Sequence, residues 1–198
     1  METAESLHAC WFGGAADDAA AQRQAGLWWS KSADMDAELA GRFGAMVEQA
    51  RSGALDAWTA TPQGALALIL LTDQLPRNIY RGTQAAFASD HIARAVCLAG
   101  LAGGADRKLT PIERVFFYLP LEHAESLADQ DRAVALYSAL FQQAAPASVA
   151  QYRGFLDYAE RHREVIARFG RFPHRNVILG RQSTARERAF LEEPGSSF

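Results

Sequence analysis

Between Arg168 and Arg181 the chain reads RFGRFPHRNVILGR, four arginines and a histidine within fourteen positions. They alternate with Phe169, Phe172, Pro173, Val177, Ile178 and Leu179, apolar content that a solvated basic tail does not need. Guanidinium groups held on a packed surface must each find an anion or an acceptor. Acid–base chemistry by His174 or His162 on an anion gripped by Arg171 and Arg175 is therefore open to this chain. The alternative is that the protein's own carboxylates supply the anions.

His162 falls on the apolar stripe Phe155, Tyr158, Ala159, Val165, Ile166, Phe169, so it should point inward. His123 follows Phe116 and Leu119 and precedes Leu127 at similar spacing, although Pro120 is expected to interrupt that helix. A lone inward histidine is more often a satisfied core residue than a ligand; two of them, with His174, weaken that reading. Glu122, Glu125 and Asp129 share one expected helical face, and Asp73 sits at the expected exit of a buried helix. Beside arginines such carboxyls ionise readily. A structural ion network that cements helix ends is the competing account.

Other chemistries lack their patterns. HExxH is absent, and Cys10 and Cys97 form no cluster for zinc. The one Glu-x-x-His pair is Glu5/His8, at a terminus, where a di-iron bundle wants two. No metal ligand is assigned; Glu122, His123, His162 and His174 meeting around an ion is the minor alternative. Phosphate-cradling glycine loops and the GxSxG elbow are missing, so no cofactor is named.

Bulk properties narrow the partners. Net charge is −3 over 198 residues, against a general nucleic-acid binder. Lys31 and Lys108 are the only lysines, so the positive charge is almost all arginine, suited to fixed bidentate pairing. GC-rich coding would produce the same bias. Hydrophobic content of 49% and charged content of 22% describe an ordinary globular chain, with no linker composition to mark a second domain. The densest apolar run, Ala65 to Leu71, is too short to span a bilayer, and the acidic N-terminus does not read as a secretory signal. A cytoplasmic protein with no membrane partner is expected, its two cysteines reduced.

The elements that must position these residues are helical in period throughout. Leu39, Phe43, Met46, Val47 and Ala50 make one stripe, closed by Gly53. Thr61-Pro62 signals a helix start before the apolar run ALALILL. A further helix is expected over 83–101, ended by Gly103-Gly104. Thr110-Pro111-Ile112-Glu113 is a capping box with proline at the first position; Ser148/Gln151 and Thr184/Glu187 repeat the box spacing. Ala133, Val134, Tyr137, Leu140 and Phe141 give a stripe between them. Leu75-Pro76-Arg77-Asn78-Ile79 echoes Phe172-Pro173-His174-Arg175-Asn176-Val177 with one insertion, and each is expected just after a helix ends. The expectation is one all-α domain over 1–198, a right-angled or solenoid-like helical array.

Six segments carry a family resemblance: Cys10-Trp11-Phe12-Gly13, DQLPRNIYRG (Asp73 to Gly82), YLPLEHAE (Tyr118 to Glu125), GRFPHRN (Gly170 to Asn176), LGR-x-ST (Leu179 to Thr184) and the terminal PGSSF. Together, and in order over essentially the whole chain, they resemble the bacterial domain-of-unknown-function 924 family. The resemblance implies a helical fold similar to the tetratricopeptide-repeat superfamily and supplies no reaction. Its recurrent positions map onto Asp73, Arg77, Asn78, Arg81, Glu122, His123, Glu125, His162, Arg171, His174, Arg175 and Asn176. Cys10 departs from it, standing where an aromatic residue is expected.

These readings combine into a polar pocket for an anionic small molecule, with enzymatic activity undetermined. Arg77, Arg81, Arg171 and Arg175 would hold phosphate or carboxylate, His174 and His162 would move protons, and Glu122 and Glu125 would orient them. The alternative is a tetratricopeptide-like module that binds a peptide or protein in a helical groove without catalysis, a fold-level analogy. A third reading makes the motifs a folding core. An enclosed pocket with unpaired arginines favours the first, a broad groove the second.

Overall fold

Thr61 accepts a 3.0 Å hydrogen bond from the Gly64 N–H, and Pro62 occupies the first helical position, where its missing N–H costs nothing. Some other starts follow similar chemistry. Glu113 and Glu187 each close a capping box with Thr110 and Thr184. Ser148 makes no side-chain capping bond, so the box expected with Gln151 does not form. The computed structural model describes residues 2–196, among which every regular element is helical. Ser197 and Phe198, the last two residues of the PGSSF motif, lie outside the described residues.

Contacts divide the chain into two compact units, Met1–Arg81 with Ala85–Pro120, and Gly82–Gln84 with Leu121–Phe198. In chain order the helices are α1 (Ala4–Phe12), α2 (Ala20–Arg23), α3 (Ala25–Trp29), α4 (Ala33–Arg51), α5 (Pro62–Ile69), α6 (Leu75–Ile79), α7 (Asp90–Ala102), α8 (Pro111–Glu122), α9 (Leu127–Gln143), α10 (Val149–Phe169) and α11 (Ala185–Leu191).

In the first unit, the predicted α4 stripe Leu39, Phe43, Met46, Val47 and Ala50 is buried throughout. Phe116 of α8 is ringed by Trp11, Phe12 and Trp28 edge to face, the geometry that the aromatic quadrupole favours. Helix α5 is buried on all sides from Gly64 to Ile69 and packs against α7. Leu75-Pro76 does not end it. A π-turn, Leu70–Gln74, carries the chain into α6, and its closing bond runs from the Leu75 N–H to the Leu70 carbonyl. In an uninterrupted α-helix the Pro76 ring would strike the Thr72 carbonyl four residues back. The wider π-turn relieves that clash, and Thr72 spends its hydroxyl on the Leu68 carbonyl at 2.6 Å.

The expected helix over 83–101 begins only at Asp90, after a short 3-10 turn at Gln84–Ala86. The reason is tertiary. The Arg51 guanidinium donates to the Ala85 carbonyl at 2.6 Å, the acceptor that a continuous helix would offer to the Ser89 N–H. The stretch Gln84–Ala102 is long and apolar enough by composition to cross a membrane, with mean hydropathy 1.2. Helix α7 itself covers about 20 Å at 1.5 Å per residue and carries Asp90 and Arg94, so it falls short of a bilayer's hydrocarbon core.

Pro120 does not interrupt α8, which runs on to Glu122. It is the helix end that separates the three carboxylates expected on one face. Glu122 closes α8, Glu125 lies in the connection, and Asp129 sits in the first turn of α9, where its N–H is capped by Ser126.

In the second unit α9 packs along α10, burying Ala133, Tyr137 and Leu140 with Tyr152, Leu156 and Ala159. Tyr158, predicted on the buried stripe, is instead 54% exposed. Past Gly170, whose φ of +69° is the left-handed cap that glycine adopts without strain, the chain folds back. Phe172 then joins Val165, Ile166 and Phe190 in a small core that Phe169 partly covers.

Candidate functional site

Phe172 organises the polar residues of the second unit. The Arg175 guanidinium lies over its ring at 4.3 Å from the centroid, within cation–π range. Arg175 Nη1 also donates to the His123 carbonyl at 3.1 Å. The His162 ring meets Phe172 edge-on at 5.6 Å, and the His174 ring lies 5.7 Å from it. His123 and His162 are 6.1 Å apart, centroid to centroid. Glu122, His162, Arg175 and Asn176 are all buried, as the stripe argument expected of His162.

One bond defines the state of His162. Its Nδ1 lies 2.8 Å from the Tyr158 carbonyl, which can only accept, so Nδ1 carries the proton. Glu122 Oε1 is 3.2 Å from the same nitrogen and shares that hydrogen. The proximity does not make His162 cationic. Burial, then the charges of His123 and Arg175, push its pKa down to about 3. At neutral pH His162 is therefore a neutral imidazole, a weak base whose Nε2 holds the lone pair.

Around this cluster the loop is tied by Arg181. Its Nη1 and Nη2 grip Glu125 at 2.6 and 2.9 Å, its Nε donates to Asn176 Oδ1 at 3.0 Å, and Nη2 also reaches the Phe172 carbonyl. Glu125 Oε1 further accepts the Phe172 N–H at 2.8 Å. Burial would raise the Glu125 pKa, but the bonds from Arg181 and Phe172 outweigh it and hold the carboxyl below its ordinary range. Asn176 Nδ2 donates to Ser183 Oγ.

Arg171 faces elsewhere, into an open pocket of about 440 Å³ lined by Arg168, Phe169, Arg171, Thr184, Arg186 and Glu187. Its Nε and Nη2 bind Glu187 at 2.6 and 2.8 Å, and Nη2 also donates to the Gln182 carbonyl. Those bonds hold the Glu187 carboxyl down at about 2, so it stays ionised. Arg171 Nη1 makes no hydrogen bond with any described residue, and Arg186 makes none at all among them. Arg168 stacks over Phe169 and Phe190, 5.0 Å from each centroid, and its nearest carboxylate, Glu164, is 3.8 Å away.

Asp73, Arg77, Asn78 and Arg81 belong to the first unit and are paired there. Arg77 bonds both oxygens of Asp90 at 2.9 and 3.0 Å and approaches Asp73 Oδ1 at 3.3 Å from inside the π-turn. Arg81 grips Asp36 through two bonds, and Asn78 donates to the same carboxylate. The Arg81 bonds, strengthened by that from Asn78, keep Asp36 ionised below the ordinary range. Both arginines are thus structural ties within their unit.

Sequence reasoning assigned no site role to Arg168, Arg181, Thr184, Arg186 and Glu187, although all but Arg186 lie in motifs it singled out. Glu187 signalled only a helix cap, and nothing in the spacing tells which arginine its second role serves. Among the described residues no group of three or more His, Cys, Asp or Glu side chains is arranged to hold a metal ion.

A family model described as a bacterial protein of unknown function (DUF924) matches residues 7–195. A solved structure of a protein of unknown function from Agrobacterium tumefaciens is similar, with 41% identity and a TM-score of 0.75, over 83% of this chain and 88% of that one. No curated protein matches.

Proposed function

As this chain belongs to the bacterial family of unknown function DUF924, we propose from its own geometry that it binds an anionic small molecule. The observation that carries this is the pocket lined by Arg168, Arg171 and Arg186, whose cations are answered by one lining carboxylate, Glu187. Three arginines of the motifs singled out in the sequence are instead consumed by internal pairs: Arg77 by Asp90, Arg81 by Asp36, Arg181 by Glu125. A guanidinium whose donors point into a concavity is suited to bidentate capture of phosphate or carboxylate.

In this reading the buried cluster fixes the segment that presents Arg171. Arg175, tied to the His123 carbonyl, covers the Phe172 ring, Glu125 holds its backbone N–H, and neutral His162 orients Glu122. Proton transfer, where the function includes a reaction, falls to His174 rather than to His162, whose conjugate acid is unpopulated at neutral pH. A cytoplasmic location belongs to the same proposal.

The test is thermal unfolding against inorganic phosphate, citrate and succinate. A saturable rise in Tm with at least one anion, abolished in Arg186→Ala without loss of basal Tm, is expected. No saturable shift with any of them, or an equal shift in the variant, overturns the reading. The rival peptide-binding module is favoured by exposed Val177, at 86%, and Tyr158 in the second unit. It becomes the better account when Val177→Asp abolishes binding of an apolar peptide and anions do nothing.

A further inference from the structure

Resting on the anion-binding reading above, we infer that the Arg168–Arg171–Arg186 pocket takes a phosphate monoester whose apolar organic part lies against Phe169. Charge makes the first selection. Three guanidiniums and one carboxylate line the pocket, a surplus of two positive charges. A monocarboxylate would leave half of that surplus unmatched, whereas a phosphate monoester carries close to two negative charges at neutral pH.

Donor geometry makes the second. Arg171 is immobilised through Nε and Nη2 on Glu187 and Gln182, which leaves both N–H groups of Nη1 facing away from its own carboxylate. Arg168 is held flat against Phe169 and Phe190, and Arg186 brings a whole guanidinium without an internal partner among the described residues. Thr184 Oγ1 accepts the Glu187 N–H, and its hydroxyl is engaged with the Glu187 carboxylate, so the donors left for a ligand are the guanidiniums. Three lining guanidiniums suit a tetrahedral acceptor with three terminal oxygens better than a planar one with two. Size and polarity make the third. About 440 Å³ is the scale of a small organic ligand, and Phe169 is the apolar member of the lining.

The protein side of this site does not titrate near neutrality, because the lining cations are guanidiniums and Glu187 is ionised down to about pH 2. Any pH dependence of binding then belongs to the ligand. Affinity should fall as pH drops through about 6, where a phosphate monoester takes up its second proton.

Calorimetric titration with phenyl phosphate, inorganic phosphate, benzoate and succinate tests this on the full chain. Phenyl phosphate should bind at least tenfold tighter than inorganic phosphate and than either carboxylate, and should weaken between pH 7 and 5. Arg186→Gln should weaken it at least tenfold with unchanged basal Tm, Arg168→Gln should also weaken it at least tenfold, and Phe169→Leu should erase its advantage over inorganic phosphate. If benzoate or succinate binds as tightly, the phosphate assignment is wrong while anion binding stands. If phenyl phosphate binds equally well to the Arg186→Gln variant, the pocket assignment is wrong. If none of the four binds, both this inference and the reading beneath it fall.

Discussion

Arg171 and Glu187 face each other through two parallel hydrogen bonds, Nε to Oε1 at 2.6 Å and Nη2 to Oε2 at 2.8 Å. The same carboxylate also accepts the Thr184 N–H at 2.6 Å, so one buried side chain both caps α11 and anchors the arginine of the pocket wall. A cation–carboxylate pair built in this way is a fixed piece of architecture on which a ligand site can rest.

The first prediction concerns acid. The folded pKa of Glu187, about 2, lies below its unfolded value near 4.5. A depressed carboxyl contributes stability that is fully present above pH 4.5 and is lost as pH falls toward 2. Glu187→Ala should lower stability at pH 7 by on the order of 2 kcal/mol, through the lost cap and charged bonds. Its acid limb should be shallower than that of the unmodified chain between pH 4.5 and 2. Urea denaturation across that range measures both.

His162 gives a second pH signature, in a different window. Its folded pKa of about 3 lies below the ordinary 6.5, so below pH 6.5 the unfolded chain binds a proton that the folded one refuses. Stability is therefore retained above pH 6.5 and declines below it, by about 1.4 kcal/mol per pH unit from this residue, until about pH 3. His162→Asn should remove that slope between pH 6 and 4.5, above the range where Glu187 acts. Nitrogen chemical shifts of the ring should report protonated Nδ1 at neutral pH; a bare Nδ1 would contradict the bond to Tyr158.

Gly64 supports a third. A Cβ there would sit well inside van der Waals contact of the Trp58 carbonyl and 2.9 Å from the Thr61 hydroxyl that caps α5. Both neighbours are backbone or bonded to it, so neither can swing away. Gly64→Ala should cost on the order of 2 kcal/mol, although alanine is the better helix former, because overpacking outweighs propensity here. Chemical denaturation of the pair would show it; an equal or more stable variant would refute the contact.

Local chemistry was legible in the residues themselves. Thr61-Pro62, Thr110-x-x-Glu113 and Thr184-x-x-Glu187 act through bonds spanning three positions and were foretold by their spacing, although the same spacing at Ser148/Gln151 forms no box. The α4 stripe and inward-facing His162 were equally readable, because a helix's period decides which side chains share a face. What lay beyond reach depends on groups far apart in the chain. Arg51 takes the Ala85 carbonyl and delays α7 by seven residues from the expected start, an outcome no propensity at positions 83 to 89 encodes. Likewise, that Arg181 closes on Glu125, fifty-six positions away, while Arg186 closes on nothing described, is a matter of where folded backbone delivers each guanidinium. Short-range hydrogen bonds and helical period are properties of neighbouring residues. The partner of a long charged side chain is chosen only when packing has brought the candidates within reach.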